Sequence, residues 1–319
     1  MSLSLMETEA LFGKMLDGQM SESEIKDILI TLADNGETAE EIAGAARAMR
    51  TRMIPTKAPA NAIDVCGTGG DGSHSLNIST AVALVVAACE VPVAKHGNRA
   101  ASSKAGAADT LEALGLNLDR AMETAEETLT DLGICFLFAQ KHHPALGPIA
   151  PIRRALGRRT IFNYLGPLCN PASVTQQLIG VPTPAIVPLY AEAMRLLGSE
   201  RALIVSGQEG LDEISISGPT YYESIGFTLQ NDVITPESLG LSRHPPQTLN
   251  GGDAAYNAAA LRRLLDGEQG AYRDAVLLNS AAALMVANEA DNLSDGMEEA
   301  AEAIDKGLPK ALLQCWISY

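Results

Sequence analysis

The stretch Ala62-Ile-Asp-Val-Cys66-Gly-Thr-Gly-Gly-Asp-Gly72 decides the reading of the fold. A short apolar run with β-branched residues predicts a strand over 62–66, and the glycines after it predict a tight loop. From Asn77 to about Glu90 the chain reads as a helix. Strand, glycine loop and helix in that order are the opening unit of a parallel α/β sheet. Working outward, Val91-Pro-Val-Ala94 and Ile134-Cys-Phe-Leu-Phe138 read as the second and third strands. Ala202-Leu-Ile-Val-Ser206 reads as a fourth, preceded by a helix over Ala185–Leu197. Thr220–Gln230 has the texture of antiparallel pairing, and from Asp253 to Leu313 the chain is helical, punctuated by Gly267 and Gly270.

Upstream the texture is different. Ser21-Glu-Ser-Glu24 and Thr38-Ala-Glu-Glu41 are S/T-x-x-E capping boxes, each opening a helix, and Asn35-Gly36 closes the helix between them. Pro55-Thr-Lys-Ala-Pro59 breaks the pattern. The expected organisation is a small N-terminal helical domain over 1–56 and a larger α/β domain over 57–319 with a central, mainly parallel sheet. A helical segment around 144–165 is expected to complete the small domain. No period of 20–50 residues recurs, which excludes a solenoid.

Composition narrows the function. The 319 residues are 46% hydrophobic and 19% charged, ample for a core. The net charge of −16 argues against coating nucleic acid, which relies on clustered cations, but leaves room for a small anionic substrate at a local positive site. The longest apolar run, Ala81–Cys89, is far short of the ~20 residues of a membrane helix, and the first six residues lack the charge and length of a signal peptide. Cys66, Cys89, Cys135, Cys169 and Cys315 are odd in number, scattered and without a C-x-x-C pair. Neither a zinc site nor a disulfide framework is expected, and a reducing, cytoplasmic compartment is.

Two loops carry chemistry. The glycine loop can bring backbone N–H groups close to an anion, and Asn77-Ile-Ser-Thr80 at the helix start adds hydroxyl and amide groups. It is neither a Walker loop nor G-x-G-x-x-G, and taken alone it reads equally as a plain turn with a helix cap. The second, Lys95-His-Gly-Asn-Arg-Ala-Ala-Ser-Ser103, follows a strand directly. It puts two cations, an imidazole, an amide and two hydroxyls within one short loop of an acidic protein, which suits a phosphorylated substrate.

Together with Ser102-Ser-Lys-Ala-Gly-Ala-Ala-Asp109, Leu111-Glu-Ala-Leu-Gly115 and His142-His-Pro-Ala145, these motifs resemble the anthranilate phosphoribosyltransferases. The likeness continues through Leu156-Gly-Arg-Arg-Thr-Ile-Phe-Asn163, Leu165-Gly-Pro-Leu-Cys-Asn-Pro171, Asp212-Glu-Ile-Ser215 and Gly251-Gly-Asp253, nearly to the C-terminus. The resemblance implies a nucleoside phosphorylase/phosphoribosyltransferase-like fold whose two domains are joined by hinges, and a homodimer formed through the helical one. It implies transfer of phosphoribose from phosphoribosyl pyrophosphate (PRPP) to the amine of anthranilate, with release of diphosphate, in tryptophan biosynthesis. Two Mg²⁺ ions are expected, and neither nucleic acid nor membrane as a partner.

Carried over residue by residue, the likeness assigns PRPP to Gly67, Gly70, Asp71, Ser75, Asn77, Ile78, Ser79 and Thr80. The second loop adds Lys95, His96, Gly97, Asn98, Arg99, Ala100, Ala101, Ser102 and Ser103, and Ala107 follows it. Anthranilate falls to Gly67, Asn98, His143 and Arg153, the first arginine of Ile152-Arg-Arg154. Mg²⁺ falls to Ser79, Asp212 and Glu213. No general base is assigned. By residue type alone Asp212-Glu213 would be a surface pair, His143 a turn histidine and Arg153 a surface residue. Ala107 stands where many relatives carry serine, which removes one phosphate hydroxyl, and Tyr164 and Cys169 also depart from the pattern. The N-terminal helices begin about one helix later than in many relatives. A pyrimidine nucleoside phosphorylase, using inorganic phosphate, shares the architecture but is disfavoured by Asn98-Arg99 and Arg159-Thr-Ile-Phe-Asn163. A nucleic-acid-binding relative without catalysis would be basic and would have eroded both loops.

Overall fold

In the computed structural model, which describes residues 2–100 and 104–319, strands alternate in the side they face. In β1 (Ile63–Gly67), Ile63 and Val65 enter one apolar cluster. In β4 (Gln176–Gly180), Leu178 joins that cluster and Ile179 enters another on the opposite face. In β5 (Arg201–Gly207), Leu203 and Val205 face the first cluster while Ala202 and Ile204 face the second. A period of two with both faces buried is the mark of a sheet covered by helices on each side.

The sheet has seven strands in the order β3-β2-β1-β4-β5-β6-β7. Here β2 is Val93–Gly97, β3 Ile134–Phe138, β6 Thr220–Ile225 and β7 Val233–Ile234. The first five in that order are parallel; β6 pairs antiparallel with β5, and β7 with β6. The expected strand-and-helix alternation and the antiparallel pairing after Thr220 are therefore both observed. What the sequence reading lacked is β4, which sits at the centre between β1 and β5. Its opening Gln176-Gln177 reads as polar, yet Gln177 is buried and donates from Nε2 to Pro167 O at 2.8 Å. A satisfied amide costs little in a core, so the polarity misleads.

Three N-terminal helices come first: α1 (Leu5–Leu16), α2 (Glu22–Asn35) and α3 (Ala39–Arg50). Both expected capping boxes form, and Ser4 with Glu7 makes a third at the start of α1. Each cap contributes on the order of 1 kcal/mol. After β1 comes α4 (Ile78–Ala88), buried almost all round, with α13 (Ala271–Val286) packed against it. Between β2 and β3 lie α5 (Ala107–Leu114), α6 (Leu118–Glu123) and α7 (Ala125–Asp131). Between β3 and β4 lie α8 (Ala139–His142), α9 (Ile149–Leu156) and α10 (Phe162–Leu168), and α11 (Val187–Leu196) precedes β5. α12 (Ala254–Leu265), α14 (Leu293–Asp305) and α15 (Leu308–Ser318) complete the chain around α13.

The second cluster joins Phe12, Leu29 and Ile42 of the N-terminal helices to Ile152, Phe162 and Leu165 from α9 and α10, and to Tyr190 and Met194 of α11. α9 thus packs on α2, and α10 bridges α3 to β1 and β2 of the sheet. Arg50 reaches from α3 to Leu168 O at 2.7 Å and seals the same seam. Among the described residues no helix is long and apolar enough to cross a membrane, and all five cysteines are free.

Candidate active-site cleft

Strand order reverses between β1 and β4: β2 and β3 extend to one side, β5 to the other. In an open parallel sheet the crevice at such a reversal, outside the carboxyl ends of the strands, is where loops diverge and ligands bind. A cleft of about 420 Å³ lies here. The glycine loop enters it from β1, Lys95–Ala100 from the end of β2, and Asp212-Glu213 from beyond β5; α9 and α10 close it from the helical side.

One end is acidic. Asp212 Oδ2 accepts the Gly69 N–H at 2.8 Å, and Glu213 accepts the backbone N–H of Ser79. The approach is close enough that a Cβ on Gly67 would collide with the Asp212 carboxylate, so glycine is required there. Asp71 comes near the same pair, and its buried Oδ2 has no hydrogen-bond partner among the described residues. Burial and then the neighbouring carboxylates push both Asp212 and Glu213 well above the usual carboxylate range. Such crowding is relieved either by protonation or by a nearby cation. An all-oxygen donor set of carboxylates with a nearby serine hydroxyl suits a hard divalent ion such as Mg²⁺, which keeps waters and phosphate oxygens among its ligands.

Lys95 sits beneath this end, 3% exposed, with Nζ donating to Val65 O at 2.7 Å and Ser79 Oγ at 3.2 Å. Its charge opposes the rise at Glu213 and also at the buried Asp64. Asp64 is held in turn by Asn170 Nδ2 at 2.8 Å and by the His96 N–H at 3.1 Å.

The other end holds two imidazoles. His96 donates from Nδ1 to Gly166 O at 3.0 Å, which leaves its Nε2 as the acceptor facing His143 Nε2 at 3.3 Å. Burial, then the adjacent histidine, lowers His96 to about 3; burial and His142 lower His143 to about 4. Both rings are neutral at physiological pH. Half-buried Arg153 lies with its guanidinium 5.1 Å from the Phe162 ring centre and has no carboxylate partner among the described residues. Arg154, next in sequence, is exposed.

Nearly all the expected residues meet in this one cleft: Gly67, Gly70, Asp71, Ser75, Asn77, Ile78, Ser79, Lys95–Ala100, Ala107, His143, Arg153, Asp212 and Glu213. Thr80 does not line it; it is 1% exposed, on the buried side of α4. Ala101, Ser102 and Ser103 lie outside the described residues. Asn77 lines the cleft but its side chain is engaged with protein, donating to Ala105 O and accepting from Thr110 Oγ1 and Asn257 Nδ2. Sequence reasoning did not single out Thr68, His74, Leu146, Phe162 or Asn163 as lining residues. Phe162 and Asn163 lay in a quoted motif, which was the one signal for them.

Comparisons with known proteins agree with this geometry. The model of the glycosyl transferase family helical bundle domain matches residues 1–53, and that of the family's a/b domain matches 59–310. The chain is 64% identical to anthranilate phosphoribosyltransferase of Novosphingobium aromaticivorans, over 98% of this chain and 95% of that one. With the Sphingopyxis alaskensis enzyme of the same name identity is 61%, over 97% and 93%. Among solved structures, the Thermus thermophilus enzyme superposes with a TM-score of 0.93 at 41% identity, covering 100% of this chain and 96% of that one. The Saccharomyces cerevisiae enzyme in complex with PRPP and Mg superposes at 0.90 and 29% identity, covering 99% and 93%. The same yeast enzyme with 4-fluoroanthranilate gives 0.88 and 27%, covering 99% and 92%. The chain belongs to the anthranilate phosphoribosyltransferase family.

Proposed function

We propose that this member of the anthranilate phosphoribosyltransferases moves the phosphoribosyl group of PRPP onto the amine of anthranilate in the cleft at the strand reversal. The observation that carries the reading is that Asp71, Asp212 and Glu213 line the same crevice as a half-buried guanidinium, Arg153, with no carboxylate partner among the described residues. The first fits a metal-bound diphosphate, the second a carboxylate.

In the reaction the C1′–O bond to diphosphate breaks with its electron pair leaving on oxygen, and the amine lone pair of anthranilate bonds to C1′. The ribose gains positive character as the diphosphate gains negative. The backbone N–H dipoles of the glycine loop and the Lys95 ammonium supply positive potential on the side where negative charge grows. Asp71, Asp212, Glu213 and the Ser79 hydroxyl would hold two Mg²⁺ ions, which when bound offset the charge of the leaving group. Arg153, lying over the Phe162 ring, can take the anthranilate carboxylate in a fork and turn the amine toward C1′. Neutral His96 and His143 line that end without adding charge. An aryl amine has a free lone pair, so attack needs no prior deprotonation.

The remaining assignments follow the same reading. Residues 1–56 with the 144–165 segment form the helical domain, supported by their shared apolar cluster, and 57–319 supplies the rest of the α/β domain. A homodimer through the helical domain is favoured by Met6, 78% exposed on α1. A cytoplasmic location is favoured by five free cysteines.

The test is anthranilate fluorescence on mixing the protein with PRPP and Mg²⁺, with an EDTA control. The expected result is a loss of signal that needs all three components. A folded protein that leaves anthranilate unchanged overturns the proposal.

A further inference from the structure

Asp109 was not among the expected site residues, yet it ties Arg99 and Ala100, just after β2, to Gly106, just before α5. Its Oδ2 accepts the N–H of Ala100 at 2.9 Å and the N–H of Gly106 at 2.9 Å. Its Oδ1 accepts from Arg99 Nη1 at 2.9 Å. An aspartate in the first turn of a helix commonly accepts the N–H at the helix start, and the Gly106 bond alone would be that. The bonds to Ala100 and Arg99 are of another kind, because they come from the far end of the loop.

Close packing points the same way. A Cβ on Gly106 would come within 2.6 Å of Ala100 N, Arg99 C and Asn98 O, so the two loop ends lie backbone against backbone. The Ala108 N–H donates to Asn98 O at 3.3 Å across the same seam. Partial burial raises the Asp109 carboxyl, but the Ala100 and Gly106 N–H groups and Arg99 outweigh it and hold it below its ordinary range. The Arg99 guanidinium, also bonded to Glu112 and 5.7 Å from the Phe138 ring centre, is turned to these partners.

We infer that Asp109 is a positioning residue for the phosphoribosyl donor: by clamping Ala100 to Gly106 and anchoring Arg99, it fixes where Arg99 and Ala100 stand along the cleft. The inference rests on the proposed reading of that loop as a cover for the phosphates of PRPP. Asp109 does not line the cleft and acts through Arg99 and Ala100, which do.

The two oxygens divide the labour in a way that variants can separate. Asp109→Asn can keep its carbonyl oxygen on both backbone N–H groups, while its amide nitrogen faces Arg99, donor against donor. Asp109→Ala removes both functions. Glu112→Gln changes the other Arg99 partner without touching the loop backbone. For each protein, PRPP affinity is measured by calorimetry with Mg²⁺ present, alongside the KM for each substrate. We expect Asp109→Ala to weaken PRPP binding tenfold or more, Asp109→Asn about threefold, and Glu112→Gln less than twofold, with the anthranilate KM moving less than twofold in all three. A general loss of structure would move both substrates together. If Asp109→Ala does not fold, Asp109→Asn decides the matter. Unchanged PRPP affinity in the folded Asp109 variants, or equal shifts for both substrates, overturns the inference. A wild-type protein that does not bind PRPP at all overturns the reading of the site instead.

Discussion

The two ends of the cleft are built on opposite electrostatic plans. At the glycine-loop end three carboxylates crowd a half-buried space around Asp212, and even a buried lysine leaves two of them raised by burial and mutual repulsion. At the helical end the polar groups are neutral imidazoles, and the lone charge beside the aromatic wall is a guanidinium that burial disfavours. Each end is incomplete in a different sense. One is relieved by a cation, the other by an anion, and a substrate pair consisting of a metal-bound diphosphate and an aryl carboxylate completes both. The difference teaches that perturbed groups in one cleft need not act alike: crowding marks where charge must be imported, isolation marks where it must be received.

The sharpest way to break this contrast is to deny the acidic end its cation. Removing Mg²⁺ with EDTA should lower turnover at least a hundredfold, read by anthranilate fluorescence, whereas a small decrease would mean that Lys95 and the backbone suffice. At the other end, Arg153→Ala should raise the anthranilate KM about 10- to 100-fold, or about 1.4–3 kcal/mol, with the PRPP KM within twofold. Equal effects on both substrates would dissolve the division between the ends.

Stability against pH should separate them by sign. The histidines are lowered to about 3 and about 4, so between those values and their unfolded value near 6.5 the unfolded chain binds more protons than the folded one. Stability from this end therefore rises as pH is raised from 4 to 6.5 and is flat above. The raised carboxyls do the reverse: between about pH 4 and their folded values, the folded state holds the extra protons, and stability falls as pH rises. Added Mg²⁺ should remove that fall, so its effect on Tm should be larger at pH 8 than at pH 6. A uniform Mg²⁺ effect across pH would show that the carboxyls titrate independently of the ion. The smallest effect expected is at Ala107, which lines the cleft. Ala107→Ser should lower the PRPP KM about twofold, checked by initial rates at saturating anthranilate.

Much of this was legible in the chain itself. The glycine loop after Ala62–Cys66, the capping boxes at Ser21 and Thr38 and the antiparallel turn after Thr220 are local patterns, and local patterns survive translation into three dimensions because a few adjacent residues satisfy them. The motif order also brought forward Arg153 over Arg154, and only the first proves half-buried beside Phe162. β4 escaped because its buried Gln177 pairs with a backbone carbonyl contributed by α10, a contact invisible along the sequence. Asn77 reads equally as an anion-binding amide or a helix cap, but partners from Ala105, Thr110 and Asn257 use its side chain instead.

By itself the sequence determined the element types, the two loops and the acidic character of the chain, since these depend on neighbours one to four residues apart and on simple counts. Only the tertiary structure decided that β4 stands between β1 and β5 and so opens the crevice. It alone set Asp71 against Asp212, paired His96 with His143 and tied Ala100 to Gly106 through Asp109. Proton affinity and ligand geometry depend on distance through space, and residues 64 and 170, or 67 and 212, acquire that distance only when the sheet is assembled.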